Sequence, residues 1–214
     1  GGNPTEARRT AAVSFGNGLT DAAGVNNYLA PAATGFALPI AFKDASLVEY
    51  IDFLATPAAL KAISVHSDPI SDAFGELSSP AALAARAGGK PWRWKQSGTA
   101  NNYTYTPSFD GQKGTADVQL YQTLHANGVL ADAGGSIYIH TGCEANSPRN
   151  AATDGYNSLD YASRYGFQNA EGLLFFTNAV AVAARAKVFY DRPDGLPAAL
   201  AAGHLGDGWR AYFD

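Results

Sequence analysis

Short apolar runs alternate with helical stretches along this chain, and that alternation limits the folds open to it more than any other feature. Ala11 to Phe15 reads as a strand entering the tight-turn sequence Gly16-Asn17-Gly18. Thr34 to Phe42 reads as a second strand, drawn toward an edge or a bulge by Pro39. Ala62-Ile63-Ser64-Val65 is a third, ending at His66. Ser136-Ile137-Tyr138-Ile139-His140 is a fourth, apolar at nearly every position and so expected at the centre of a sheet. Helical signals lie between these runs. Ser46, with Glu49 three residues on, is a capping box before Leu47, Tyr50, Ile51 and Leu54 at helical spacing. Ser79-Pro80-Ala81 opens an Ala-rich helix that closes at Gly88-Gly89, and Asp117 to His125 gives another that stops at Asn127-Gly128. Such βαβ units predict an α/β domain, a mostly parallel sheet with helices on both faces.

Two stretches depart from that rhythm. Trp92 to Gly114 is polar, aromatic and turn-rich, which marks an excursion or small hairpin inserted into the main sheet's connections. Leu173 to Phe189 is strongly apolar, with strand-like Ala179-Val180-Ala181-Val182 and a further run at Lys187-Val188-Phe189. Residues 146–157 read as a loop, and short helices are expected at Pro197–Ala202 and Asp207–Phe213. All 214 residues fit one domain able to bury its own core.

Composition closes off several functions. The net charge of −4 is mild and the 15 basic residues form no run or stripe, so no nucleic-acid footprint is expected. No stretch approaches the roughly 18 consecutive apolar residues of a membrane span. Met is absent, so Gly1 is expected to follow a cleavage or a domain boundary, which favours a secreted or processed fragment. A single cysteine, Cys143, rules out an internal disulfide and is itself a residue to explain. Oligomeric state is not legible.

Chemistry gathers where strands end, because in parallel sheets reactive groups collect beyond the carboxyl ends. The third strand ends in His66 and the fourth runs through Thr141-Gly142 to Cys143. If these strands are parallel neighbours, both side chains emerge on one edge. A thiol needs a base or cation to lower its pKa from about 8.5, and an imidazole can take that proton and return it to a leaving amine. Gly142 lets backbone approach a substrate carbonyl, so amides near Gly142 and Cys143 are oxyanion candidates. The plainer alternatives are a small buried hydrophobe for Cys143 and a surface residue for His66.

The pieces Ile63-Ser64-Val65-His66 and Ile137-Tyr138-Ile139-His140-Thr141-Gly142-Cys143 resemble caspase-like cysteine peptidases, the group that holds caspases, metacaspases, gingipains, clostripain and legumain. The tail from Leu196 to Phe213 is similar to the closing segment of gingipain-like bacterial members. The resemblance implies a peptide or protein substrate, Cys143 as nucleophile, His66 as base, and main-chain oxyanion donors near Gly142, Cys143 and Ser67. It implies no metal in the chemistry, though a structural ion remains open. This chain carries Ser67 where the family usually has Gly, and its long interval between His66 and Cys143 requires 92–114 to be an insertion. Asp21 and Asp154 are acidic candidates for holding a basic substrate side chain, each with the alternative of an ordinary turn or cap.

Rival constellations stay open. His66, His140 and Cys143 are zinc-type donors, and a hydrolase on His66, Asp68 and His140 is one alternative. Strand alternation sends His140 and Cys143 to opposite faces unless the chain turns at Gly142, so His140 is expected to be a partly buried sheet residue. Asp68 and Asp72 could supply carboxylates to a metal or orient the His66 ring, or could simply cap helices. The cluster of Trp92, Trp94, Tyr103, Tyr105 and Phe109 reads as the small core of the excursion or as a ligand surface. That second option would make the chain a non-catalytic binding module from a larger bacterial protein.

Overall fold

The fold is seen in a computed structural model that describes residues 11–16, 37–42, 46–67, 71–74, 77–88, 90, 95–96, 114–130, 135–143, 145–146, 168–184 and 210. Five strands make a parallel sheet: β1 (Ala11–Gly16), β2 (Ala37–Phe42), β3 (Leu60–Ser64), β8 (Ser136–His140) and β9 (Ala179–Ala184), in the order β2-β1-β3-β8-β9. The apolar run at 136–140 is internal to this sheet, as its composition predicts. A second, antiparallel sheet is built from β4 (His66–Ser67), β5 (Ser71–Phe74), β6 (Lys95–Gln96) and β7 (Gly114–Asp117), in the order β4-β5-β7-β6. β6 and β7 bracket the aromatic excursion and pair with each other, so its two ends are held together; the residues between 97 and 113 lie outside the described set.

Four helices are described: α1 (Leu47–Ala55), α2 (Pro80–Ala87), α3 (Val118–Ala126) and α4 (Asn169–Phe176). Three begin as their sequences predict. Ser46 Oγ accepts from the Glu49 amide at 3.3 Å, Ser79 Oγ from Ala82 at 3.1 Å, and Asp117 Oδ1 from Leu120 at 3.2 Å, each satisfying an orphan N–H of a first turn. Gly88 ends α2 at φ 58°, a left-handed value that costs glycine nothing. Among the described residues, no helix is long and apolar enough to cross a membrane.

Three boundaries differ from the sequence reading. The third strand starts earlier, at Leu60, and stops at Ser64; Val65 bends, and His66 pairs with Ala73 in the second sheet. Val65 favours a strand whichever sheet it serves, so the switch of partner leaves no trace in local propensity. α4 falls where only an apolar stretch was recognised, because Leu173 is sealed while Leu174 and Phe175 on the next positions are exposed, which blurs any stripe. Asp72 is a strand residue of β5 and not a loop cap. The strand-like run at 187–189 and the two closing helices fall outside the described residues.

Residues of all four helices meet Ile63, Val65 and Tyr138 in one core, with Tyr50, Phe53, Leu54, Leu83, Tyr121, Leu124 and Leu173 fully buried. Leu60, Ala62 and Ile139, at the alternate positions of β3 and β8, are sealed as well. One member of this interior is charged in water. Lys61 has no exposed surface; its Nζ donates to the Leu54 carbonyl in the last turn of α1 at 2.5 Å and lies 5.7 and 5.3 Å from the ring centres of Phe53 and Tyr138. Capping a helix carbonyl and facing two rings favour the ammonium, but burial outweighs them and lowers its pKa to about 7.

From about pH 7 to its ordinary value near 10.5, the unfolded chain therefore binds a proton that folded Lys61 lacks, and stability must rise with pH. Burial also raises the Tyr50, Tyr121 and Tyr138 hydroxyls above their ordinary range, which reverses the trend above about pH 10. Urea unfolding from pH 7 to 9.5 should show a rise of up to about 1.4 kcal/mol per pH unit that Lys61→Met flattens. An unchanged slope in that variant would remove this assignment.

Candidate active site

β3 and β8 are parallel neighbours with Ile63 opposite His140, and the pairing runs on one residue past β8: the Thr141 amide donates to the Ile63 carbonyl at 2.8 Å. The two chains then leave the same carboxyl edge of the sheet together. On one side runs Val65-His66-Ser67, on the other Gly142-Cys143. Ser67 Oγ bridges them, donating to the Cys143 carbonyl at 2.6 Å. His66 is exposed and Cys143 half-buried, so Cys143 is not a sealed core residue. The gap between the strands at this point is tight. A Cβ on Gly142 would collide with Ser67 Oγ and stand 2.6 Å from His140 Cε1 and 2.9 Å from the Val65 carbonyl oxygen, so only glycine fits.

Directly behind this rim lies a sealed polar cluster. Asp72, of β5, has no solvent contact. Its Oδ1 accepts from His140 Nε2 at 2.8 Å and from Asn169 Nδ2, at the start of α4, at 2.7 Å. Its Oδ2 accepts from the Tyr50 hydroxyl of α1 at 2.7 Å. Tyr121 of α3 has one proton and three acceptors around it: Asn169 Oδ1 at 2.9 Å, Tyr50 Oη at 3.0 Å and Asp72 Oδ2 at 3.4 Å. Desolvation first, and then the Asp72 charge, hold the Tyr50 and Tyr121 hydroxyls well above their usual range, so both stay protonated donors. On its other side His140 Nδ1 accepts the Gly142 amide at 3.0 Å. An amide can only donate, so Nδ1 carries no proton and Nε2 donates to Asp72.

Three of the expected site residues, Ser67, Gly142 and Cys143, thus come together at one edge, and His66 precedes Ser67 in β4. The rest fare differently. His140 is a sheet residue, as expected, but sealed and not partly buried: it is 1% exposed, and both its ring nitrogens are engaged. It cannot join His66 as a metal ligand without breaking one of those bonds, and among the described residues no group of three or more His, Cys, Asp or Glu could hold a metal ion. Asp72 orients the imidazole of His140 and not that of His66. The Gly142 amide points inward to His140 Nδ1, so it is not one of the expected oxyanion donors. Asp21, Asp68 and Asp154 lie outside the described residues.

Tyr50, Tyr121 and Asn169 were not singled out from the sequence as site residues. Both tyrosines occupy apolar positions of amphipathic helices, and a hydroxyl forced inward there needs a buried partner; that was the available signal. In comparisons with known proteins, the chain matches no family model, no curated protein and no solved structure.

Gly142→Ala should force the rim apart and cost about 1–3 kcal/mol in urea unfolding. Asp72→Ala should cost more, about 3–5 kcal/mol, because it strands three sealed donors; a loss below about 1 kcal/mol would show that the cluster is not closed as described.

Proposed function

We propose that this chain is a cysteine peptidase of the caspase-like kind, with Cys143 as nucleophile and His66 as its base. The observation that carries this reading is the juxtaposition of two strand ends distant in sequence: the segments bearing His66 and Cys143 leave one sheet edge side by side, joined by the bond from Ser67 to the Cys143 carbonyl. In support, the imidazole is exposed and the thiol half-buried, as groups that must meet a substrate should be. The third and fourth strands of the parallel sheet in chain order are those that lead to the histidine and the cysteine, the layout of the peptidases named above.

In the proposed reaction His66 takes the thiol proton and the sulfur adds to the scissile carbonyl carbon. The resulting oxyanion is met by the amides of Cys143 and Ser67. His66 then gives its proton to the departing amine as the C–N bond breaks, leaving a thioester. Water, deprotonated by His66, cleaves that thioester and the thiol is restored. A metal-dependent route is less well supported, since His140 has both nitrogens committed within the fold.

The test is hydrolysis of a mixed-sequence peptide library together with alkylation by iodoacetamide. Cys143→Ala should abolish both, and His66→Ala should slow hydrolysis about a hundredfold or more. Hydrolysis that survives Cys143→Ala but is lost to a chelator would overturn the thiol mechanism. Peptide binding without turnover by the unaltered protein would make the chain a binding module.

A further inference from the structure

The proposed chemistry employs His66, Ser67 and Cys143 at the rim and leaves unused the sealed cluster beneath them. A carboxylate, an imidazole, a carboxamide and two phenols, all 0–1% exposed, are a costly thing to bury for packing alone, since each donor and acceptor must find its partner or the cluster destabilises the fold. Among the described residues, the cluster reaches the rim through His140. From Asp72 the hydrogen bonds run to His140 Nε2, through the ring to Nδ1, and from there to the Gly142 amide, one residue short of Cys143.

We infer that His140, held in orientation by Asp72, is a positioning residue that fixes the Gly142–Cys143 turn and so presents the Cys143 thiol at the rim. This rests on the peptidase reading for its purpose, though not for its geometry. The turn is gripped at two points on opposite sides of Cys143's α-carbon: at the Gly142 amide by His140, and at the Cys143 carbonyl by Ser67 Oγ. Neither His140 nor Asp72 reaches solvent, so neither meets a substrate; they act through the backbone. The glycine is part of the same device, because its missing side chain is what lets the His140 ring, the Val65 carbonyl and Ser67 close around it.

Two substitutions separate the two bonds of His140. His140→Asn sets a carboxamide oxygen near the former Nδ1, able to accept from Gly142, and gives up the bond to Asp72. His140→Gln sets an N–H near the former Nε2, able to donate to Asp72, and gives up the acceptor for Gly142. Hydrogen exchange at the Gly142 amide should remain protected in His140→Asn and become unprotected in His140→Gln. The iodoacetamide rate at Cys143 should fall about tenfold to a hundredfold in His140→Gln only, with its pH profile displaced. Equal loss of protection and equal alkylation in the two variants would overturn the inference, leaving His140 an ordinary core residue. Should both variants fail to fold, nitrogen NMR of the unaltered protein decides: a proton on Nδ1 of His140 overturns it, and one on Nε2 with a bare Nδ1 supports it. Absence of peptide hydrolysis in every form, with exchange and alkylation still split between the variants, would refute the peptidase and leave the positioning role standing.

Discussion

Burying the Asp72 carboxylate constrains the rest of the molecule. An isolated carboxylate in an apolar interior is unfavourable by far more than a whole domain's net stability, so the fold can exist only if donors arrive with it. They come from every direction: His140 from the parallel sheet, Tyr50 from α1 and Asn169 from α4, with Tyr121 of α3 closing the ring. No one of these elements can shift by a turn or a register without stranding the charge. The cluster thus converts a set of apolar contacts, which tolerate sliding, into a unique arrangement, because hydrogen bonds fail steeply with distance and angle.

The same constraint reaches the rim through the β4–β5 hairpin. His66 and Ser67 pair with Ala73 and Asp72, so the exposed imidazole and the sealed carboxylate ride on one two-stranded unit. That unit grips the Cys143 turn twice, once from Ser67 directly and once from Asp72 by way of His140. The hairpin and the turn are therefore tied to each other at two points.

Much of this was legible in the sequence, and the limits follow from physics. Caps are local, so Ser46, Ser79 and Asp117 announced their helices within a residue or two. The apolar run at 136–140 announced an internal strand, and the ends of β3 and β8 announced the edge from which the segments bearing His66 and Cys143 leave. Partner choice is not local. Nothing about Val65 or His66 records that the chain bends there into a second sheet, nor could Asp72 be told from a loop acid until its pairing with β7 turned it inward. Asn169 opens a helix with exposed Leu174 and Phe175, where the only clear signal was Glu171 accepting from the Gln168 amide at 2.8 Å. Single hydrogen bonds of the buried cluster span up to 97 positions, a separation at which no periodicity carries information.

Lys61 and Asp72 are both sealed, yet the fold answers them differently. Asp72 receives at least three well-formed donors, each at hydrogen-bond distance. Lys61 offers three protons and meets one carbonyl and two ring faces among the described residues. A ring face attracts a cation without satisfying its protons, and burial lowers the Lys61 pKa to about 7. Lys61 stands opposite Tyr138 in the β3–β8 ladder, two positions before the pair formed by Ile63 and His140. One strand pair therefore carries a group that can lose its charge near neutral pH and, two residues further on, a histidine with both ring nitrogens hydrogen-bonded. The end with the hydrogen-bonded histidine is the one nearer Cys143, through the Gly142 amide.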